Sequence, residues 1–454
     1  MNTRTIIICA ASATLANAAA AQTLNTWVGG ETGSWFEPTN WSEGRIPSAS
    51  DRAVINAAGA DVRVAIDNGD AVARSVEIGP PDGTGALPFG DEIRLNNATL
   101  TTTGESLLDG VIRSGFGAID GGTELTGGTW RGAGGVVWAG GSAPGTNQSL
   151  LLRDLTWGVD QANVSTGRRL ILEACTLEAG ASLRAVQPGS TIEIDRRISG
   201  DGTLVVAGRL QGLDNDQRAI LKGINVEARS GASLAYLAID DGSLLRVVAD
   251  PLAQTAGTQP PVTIEGLVTA PDSAIEITED QTLAMLFDDY RIRGVLRLEP
   301  GASAIGNGGF AVLASTGAVG RLEVPASAAT PPVRVEGSAF LPFPTVVSIQ
   351  GELEPGAMVP VVAALAGFEA VTAAIEADSQ TGFGPVWSVG PTVAAVTPRC
   401  LADTNGDGAV TPADFNAWVV AFNTTADACD QNGDRSCDPA DFNAWVLNFT
   451  AGCL

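Results

Sequence analysis

The sequence predicts a mainly β protein, a right-handed parallel β-helix (solenoid), followed by a small α-helical C-terminal module. Between about residues 60 and 390, short apolar runs alternate with polar residues at a period of two, separated by Gly, Asp and Asn turns. Of 454 residues, 55 are Gly and only 5% are aromatic. This combination is typical of solenoids, in which each coil buries a small apolar stack against the next.

A pair of β-sandwiches is the competing architecture, because it also produces alternation and turns. We favour the β-helix because the sequence lacks Trp and Tyr core anchors and because its Gly and Asn turns are paired. Within the body, the main candidate for a helix is "GFEAVTAAIEA" at 367–377.

The N-terminus reads "MNTRTIIICAASATLANAAAAQ", with one Arg before a short apolar run that ends in small residues. This pattern predicts a secretory signal peptide over residues 1–21 and an exported protein, secreted or held at the cell surface. The run is too short and too rich in Ala to serve comfortably as a membrane span, and we expect no transmembrane segment.

The next segment, 22–75, is expected to form a Trp-rich N-terminal β cap. Trp27, Trp35 and Trp41 lie between Gly turns, and they either close the first turns of the β-structure or form a surface that stacks on sugars. We favour the cap. The stretch is similar to the opening segment, tryptophans followed by "NW", "G", "P" and "D", of some large exported bacterial β-helical proteins.

The body is expected to span 76–321, and the Pro- and Val-rich stretch 322–398 to form a C-terminal β cap or small sandwich plus linker. Several paired carboxylates in the body are candidates for acid and base chemistry on a polysaccharide. In so acidic a chain such pairs are ordinarily solvated turns, and we assign no catalytic residue. The pairs considered are Asp240 with Asp241, Asp288 with Asp289 beside Tyr290, Arg291 and Arg293, and Glu193 with Asp195.

Charge and composition exclude several classes of function. The formal net charge is −25, so nucleic acid and anionic membranes are not expected partners, because both require a basic footprint. There is no His, and Lys222 is the only Lys. Ser/His and Cys/His dyads and His-containing zinc sites are therefore excluded.

The C-terminal module, 400–454, contains two twelve-residue loops with the oxygen donors of a calcium site. In each loop the donors stand at positions 1, 3, 5, 7, 9 and 12, and position 7 offers its backbone carbonyl. The first loop places there Asp403, Asn405, Asp407, Ala409, Thr411 and Asp414, and the second, 27 residues later, Asp430, Asn432, Asp434, Ser436, Asp438 and Asp441. The sequence therefore predicts two calcium sites.

The two loops differ at position 6. Gly408 supplies the sharp turn in the first loop, whereas Arg435 stands there in the second, so we expect the second site to be weaker. A helix with one apolar face follows each loop, in "PADFNAWVVAF" and "PADFNAWVLNF", and the two faces can pack on each other. The stretch before the first loop, with Pro391 and Pro398, cannot form an entering helix.

Four cysteines, Cys400, Cys429, Cys437 and Cys453, lie in the last 55 residues. In a small exported module they imply two disulfides. Three connectivities are possible, and pairing Cys400 with Cys453 across the ends of the module is a guess. Cys175 stands alone in the body and is expected to be a buried small hydrophobe.

Paired loop-and-helix units of this kind resemble dockerin modules. Cys400, the "ADxNGDG" and "PADFNAW" phrases, Cys429 and the closing "GC" are similar, more narrowly, to the GC-type dockerin found at the C-terminus of many exported bacterial proteins. The resemblance covers about an eighth of the chain. It implies calcium-dependent folding and attachment to a partner or surface, with a cohesin-like or other surface protein as the expected partner.

Pro412, Ala413, Pro439 and Ala440 belong to the repeated phrase and are candidates for a duplicated partner-binding face, although simple duplication explains them equally well. Our functional hypothesis is a non-catalytic exported β-solenoid, in contact with extracellular polysaccharide and attached through the calcium module. The alternative is a β-helix carbohydrate-active enzyme, a polysaccharide lyase or hydrolase, carried by the same module.

Overall fold

The computed structural model describes residues 22–452 except for 17 short gaps. These gaps are 57–61, 80–90, 115–122, 133–135, 140–148, 161, 165–166, 188, 214–217, 241, 252–258, 287–289, 314–319, 343, 355–356, 380–382 and 433–435, together with the terminal 453–454 beyond the described range. The expected signal peptide, 1–21, lies outside the described residues.

The protein is mainly β, and its strands are short. The first fifteen are β1 Thr23–Thr26, β2 Thr32–Ser34, β3 Asp51–Ile55, β4 Arg63–Asp67, β5 Asp70–Val72, β6 Ser75–Ile78, β7 Glu92–Asn96, β8 Thr99–Thr101, β9 Glu105–Leu108, β10 Val111–Ser114, β11 Glu124–Thr126, β12 Thr129–Gly132, β13 Val136–Ala139, β14 Ser149–Arg153 and β15 Thr156–Val159. The next fifteen are β16 Ala162–Asn163, β17 Arg169–Glu173, β18 Thr176–Leu177, β19 Ser182–Ala185, β20 Thr191–Asp195, β21 Arg197–Gly200, β22 Thr203–Val206, β23 Arg209–Gly212, β24 Ala219–Lys222, β25 Asn225–Arg229, β26 Ser233–Ala235, β27 Leu237–Asp240, β28 Leu244–Val248, β29 Val262–Glu265 and β30 Val268–Thr269.

The remaining strands lead to two α-helices. They are β31 Ala274–Ile277, β32 Thr282–Leu286, β33 Tyr290–Ile292, β34 Val295–Leu298, β35 Ser303–Gly306, β36 Phe310–Val312, β37 Arg321–Pro325, β38 Val333–Val335, β39 Ala339–Leu341, β40 Val346–Leu353, β41 Val359–Ala364, β42 Phe368–Val371, β43 Ala374–Ser379, β44 Phe383–Val389 and β45 Val393–Cys400. The helices are α1 Pro412–Thr424 and α2 Pro439–Ala451, and short 3-10 turns lie at Pro38–Asn40 and Asp427–Cys429.

Strand pairing is parallel through most of the body, and from β3 onward most strands pair with the strand three places further along the chain. One sheet runs β1-β3-β6-β9-β12-β15-β18-β21-β24-β27-β30, a second β13-β10-β7-β4-β2, a third from β5 by threes to β41, a fourth β16-β19-β22-β25-β28-β31-β34-β37-β40-β43 and a fifth β33-β36-β39-β42. Three consecutive strands therefore visit three sheets before the chain returns to the first. This is a β-helix-like arrangement.

Aliphatic side chains hold the coils together because equivalent positions stack on one another. One buried column runs through the third sheet and consists of Leu150, Leu170, Ile192, Leu210, Leu234 and Ile264. The alternation with period two, which the sequence shows, places every second side chain in this interior. Burial of such columns is the main stabilising contribution to the body.

The outward positions carry a ladder of alternating charge. Glu227, Arg246, Glu276, Arg297 and Glu323 occupy one register column of the fourth sheet. Within it, Arg246 lies 2.9 Å and Arg297 3.1 Å from the carboxylate of Glu276. Opposite charges on adjacent strands favour this register over a shifted one.

The end of the body is antiparallel. β37 to β43 continue the parallel ladders, so the expected boundary at 321–322 falls within β37. Only then does β45 pair antiparallel with β41, and β44 antiparallel with β45. The predicted helix at 367–377 is wrong: these residues form β42 and the start of β43, since the preceding coil offers them hydrogen-bond partners.

At the other end, the three N-terminal tryptophans form a closed cluster. Trp27, Trp35 and Trp41 are at most 4% exposed, and Trp41 packs edge-on against both of the others, with ring centroids 5.3 and 4.8 Å away. Their faces are therefore covered by protein and not available to stack on sugars, as the cap interpretation expects.

One premise of the β-helix prediction is wrong. The body does contain large aromatic anchors: Trp130 and Trp157 are fully buried on paired strands β12 and β15, and Tyr290 is 2% exposed. Trp130 and Trp157 are register neighbours of each other, with Ser106 on the preceding strand and Leu177 on the following one.

Candidate functional site

The two C-terminal helices begin in the same way, and the sequence explains why. Thr411 caps α1 and Asp438 caps α2, each accepting a hydrogen bond from the backbone N–H two residues on, while Asp414 and Asp441 complete a capping box. Pro412 and Pro439 occupy the first helical turn, where no hydrogen-bonding N–H is needed. Thr411 and Asp438, predicted as calcium ligands, therefore also serve as helix caps.

The first loop is organised by side-chain oxygens that accept backbone N–H groups. Asp403 Oδ1 accepts from Asp407 N at 3.0 Å, and Asp403 Oδ2 accepts from Gly408 N at 2.9 Å. Asn405 Oδ1 accepts from Asp407 N at 2.9 Å. Gly408 has φ 81°, a left-handed conformation that favours glycine, which agrees with its predicted role in the turn.

Asp414 closes this loop from the first turn of α1. Its side chain is fully buried, Oδ1 accepts from Asn405 N at 3.1 Å, and Oδ2 accepts from Thr411 N at 2.8 Å. Burial raises the pKa of Asp414, but the hydrogen bonds from Thr411 and Asn405 outweigh it and lower the pKa overall. The buried carboxylate is thus held in its ionised form.

The second loop repeats this arrangement. Asp441 is fully buried. Its Oδ1 accepts from Asn432 N at 3.3 Å, the equivalent of the Asn405 contact, and also from Gln431 N at 2.8 Å, while Oδ2 accepts from Asp438 N at 2.9 Å. Asp434 and Arg435 lie outside the described residues. The weaker second site consequently stays a prediction. The remaining predicted ligands of this loop, Asp430, Asn432 and Ser436, make further contacts within the molecule.

The donor set fits calcium in its chemistry. The predicted ligands offer only hard oxygens from carboxylate, amide, hydroxyl and carbonyl groups, on loops that connect to rigid helices. Within the described part of the chain, however, no three His, Cys, Asp or Glu side chains gather closely enough to hold a metal ion. In the first loop the carboxylate oxygens of Asp403 and Asp414 are engaged with backbone N–H groups instead.

The two helices pack through an aromatic core. Phe415 lies 5.2 Å from Trp445, and the equivalent pair, Phe442 and Trp418, lies 5.7 Å apart between ring centroids. Trp418 and Trp445 are at most 6% exposed. Trp418 and Trp445 thus form the core of the module, as the apolar helix faces predict. Phe415 and Phe442 pack at its edge and stay 36% and 42% exposed.

Each tryptophan also contacts the opposite repeat. Trp418 Nε1 donates to the carbonyl of Cys429, just before the second loop, at 3.1 Å. Trp445 Nε1 donates to Thr404 Oγ1 in the first loop at 3.3 Å. The sequence gives no sign of these contacts, because they depend on how the two repeats face each other.

The predicted partner-binding residues Pro412, Ala413, Pro439 and Ala440 are all exposed. Sequence reasoning missed two further apolar residues on the outer helix faces, Val420 and Leu447, which are 63% and 67% exposed. They stand seven positions after Ala413 and Ala440, so each helix carries a matching outward stripe. The sequence did contain a signal for these residues: an apolar residue stands at the same position of both repeats, 27 residues apart.

Disulfides constrain the module. Cys429 is bonded to Cys437, which bridges the base of the second loop. Cys400 is also disulfide-bonded. The guess that it pairs with Cys453 concerns a residue outside the described range. In the body, Cys175 is free and buried as expected.

The carboxylates of the body do not assemble into a catalytic pair in the described residues. Glu193 is buried and lies 3.2 Å from Arg169, while its other oxygen accepts from Gln211 at 2.7 Å. Tyr290 is buried and donates to the carbonyls of Ile264 and Leu286. Asp241, Asp288 and Asp289 lie outside the described residues.

Over the described ranges, neither helix is long and apolar enough to cross a membrane. Comparison of the whole chain with protein-family models, with curated proteins and with solved structures found no match.

Proposed function

We propose that this is an exported, non-catalytic protein with a right-handed parallel β-helix body, held at a partner or surface by a calcium-dependent, dockerin-like C-terminal module. The observation that carries the proposal is the structural repeat of the two loops. The hydrogen bonds around Asp414 recur around Asp441, and both helices begin with the same capping box. Two loops with matching geometry are much less expected from a chance motif than one.

In the first loop, calcium would be held by Asp403, Asn405, Asp407, Thr411 and Asp414 together with the backbone carbonyl of Ala409. The equivalent set in the second loop begins at Asp430 and ends at Asp441. When bound, the ion neutralises carboxylates that otherwise repel one another. Binding of this kind stabilises the folded state over the unfolded state and so couples calcium to folding.

The partner is proposed to be a cohesin-like or other surface protein that recognises the exposed stripes of α1 and α2. Support comes from the duplication of exposed apolar positions, Val420 with Leu447 and Ala413 with Ala440. The body would then be presented to the external medium, where its long outward surface can contact extracellular polysaccharide.

Hydrogen exchange of the full chain, read out by mass spectrometry, tests the calcium module. Segments 403–424 and 430–449 should gain protection in millimolar calcium over chelator, while strands of the body exchange equally in both. Asp403→Ala should remove the gain mainly in the first segment and Asp430→Ala mainly in the second. Asp70→Ala, an exposed carboxylate of the body, is the matched control. Equal protection of the module with and without calcium would show that the loops are not calcium sites.

The enzymatic alternative has its own test. The purified chain is incubated with a panel of acidic and neutral polysaccharides, and the products are analysed for new chain ends. Robust cleavage that is lost on changing Asp240, Asp241, Asp288 or Asp289 would replace the non-catalytic proposal and leave the module's role unchanged.

A further inference from the structure

A groove lies on the outer surface of the fifth sheet, formed by β33, β36, β39 and β42. Arg291, Ala311 and Phe340 occupy one outward register column across three neighbouring strands. Ala311 has the smallest of these side chains, so it forms a floor between a guanidinium and an aromatic ring. The cavity above it has a volume of about 420 Å³. That volume is sufficient for a sugar unit of a polymer.

A β-bulge shapes one end of the groove. The pairing of β39 with β42 shifts between Ala339 and Phe340, which leaves Glu369 without a register partner. Bulges re-aim side chains and are enriched next to functional sites. Here the bulge turns Glu369 to the rim of the groove, where its carboxylate accepts a hydrogen bond from Ser338 Oγ at 2.7 Å.

Arg291 differs from the arginines of the charge ladders. Arg246, Arg297 and Arg153 each contact one or two carboxylates on adjacent coils. Arg291 is exposed, and its guanidinium forms neither an ion pair nor a hydrogen bond with the other described residues. In a concave site on a chain with a net charge of −25, such a guanidinium is positioned to receive a carboxylate from a ligand.

We propose that this groove binds a carboxylated sugar unit of an acidic polysaccharide. The carboxylate meets Arg291, the apolar face of the ring lies over Ala311 against Phe340, and the hydroxyls reach Glu369 and Ser338. Arg291 and Phe340 stand two strands apart, roughly 9.6 Å at the usual strand spacing, which spans one sugar ring. This inference rests on the proposed exposure of the body to extracellular polysaccharide and names the class of sugar it takes.

A sugar polymer suits this surface better than a peptide. An extended peptide binds a sheet by adding a strand at a free edge, whereas β36 and β39 already have paired neighbours on both sides. The column of outward residues runs across the strands, along the direction in which the coils stack. A polymer can follow that direction through side-chain contacts alone.

Calorimetric titration of the full chain tests the inference. The probes are a galacturonate pentasaccharide, the corresponding galactose pentasaccharide and pentaglutamate, each in calcium and in chelator. We expect the uronide to bind, and Arg291→Gln to weaken it at least about tenfold, the loss of one charge-assisted hydrogen-bonded pair. Ala311→Leu, which fills the floor, should abolish binding. Arg334→Gln, an exposed arginine on β38 outside the groove, should leave it unchanged.

Each other outcome is decisive. Binding of the neutral pentasaccharide as tightly as the uronide, unaffected by Arg291→Gln, overturns the assignment of an acidic sugar. Equal binding of pentaglutamate shows an anion site without selectivity for sugars and also overturns it. Uronide binding that survives Ala311→Leu places the site elsewhere. The uronide should bind equally in calcium and in chelator. The titration therefore tests the sugar site even if the calcium proposal fails.

Discussion

Trp445 in the second helix donates its indole N–H to Thr404 Oγ1 in the first loop, at 3.3 Å across 41 residues of chain. Both residues are at most 9% exposed. Trp418 in the first helix makes the reciprocal contact with the carbonyl of Cys429. Each loop is therefore held against the helix of the other repeat.

Replacing Trp445 by Phe keeps a ring in the core and removes the N–H. We expect the module to lose about 1 kcal/mol of unfolding free energy, the typical net contribution of a buried hydrogen bond. Local opening of segment 403–424, measured by hydrogen exchange, reports the loss. Thr404→Val combined with Trp445→Phe should cost little more than either change alone, because both remove the same bond. Fully additive effects would contradict the direct coupling of the two residues.

The Cys429–Cys437 disulfide should stabilise the second loop in particular. With a sequence separation of eight, loop-closure entropy gives about 2.5 kcal/mol. The double change of Cys429 and Cys437 to Ser should therefore increase exchange in 430–449 and weaken calcium binding there more than in the first loop. Cys175 is a free, buried cysteine of the body, and burial raises the pKa of its thiol to about 12, which keeps it unreactive. Cys175→Ala is therefore a suitable control, which should change neither exchange in 430–449 nor calcium binding. Equal weakening of both loops would argue against this local effect.

The exposed stripes predict how the partner binds. If the two repeats offer equivalent binding faces, Val420→Asp or Leu447→Asp alone should reduce capture of the partner by only about twofold, since one of two modes remains. The double variant should abolish capture. The measurement uses the full chain as bait for the exported fraction, with Asn423→Asp, an exposed polar position on α1, as control. Unchanged capture by the double variant would show that neither stripe is part of the interface with the partner.

The C-terminal helices could be predicted because their signals are local. Thr411, Pro412 and Asp414 determine a helix start within four residues, and the repeat supplies a second copy. The alternation of the body likewise predicts strands. What it cannot predict is the partner of each strand, since a period of two is the same for any sheet.

Other features depend on neighbouring coils and leave no local sign. Several strands of the third sheet are followed by a residue in the left-handed backbone conformation, with φ between 52° and 66°. These residues are Asp154, Ala174, Arg196 and Tyr236. Of these residue types, only Asp is enriched in that conformation. The stacking of one coil on the next imposes it. The bulge at Glu369 and the register column of Arg291, Ala311 and Phe340 depend on strand pairing in the same way, which is why sequence reasoning did not assemble the groove.

An ion pair near the N-terminal cap, in which only the carboxylate is buried, links stability to pH. Asp51 is fully buried, and the Arg45 guanidinium donates to its two oxygens at 2.5 and 2.7 Å. Ser48 adds a backbone and a hydroxyl donor, both at 2.7 Å. The hydrogen bonds from Arg45, more than any other contact, lower the pKa of Asp51 from 3.8 to about 2.

Because the pKa of Asp51 is lower in the folded than in the unfolded state, the stabilisation is fully present above about pH 4 and is lost as the pH falls toward 2. Arg45 is 45% exposed, which screens its charge, so we expect about 1–2 kcal/mol. Asp51→Asn should lower the urea concentration at the midpoint of unfolding at pH 7. The difference in midpoint between the variant and the wild type should become smaller between pH 4 and pH 2. The exposed Asp70→Asn should show no such trend. A difference that stays constant down to pH 2 would mean that the effect of Asp51 is packing and not charge.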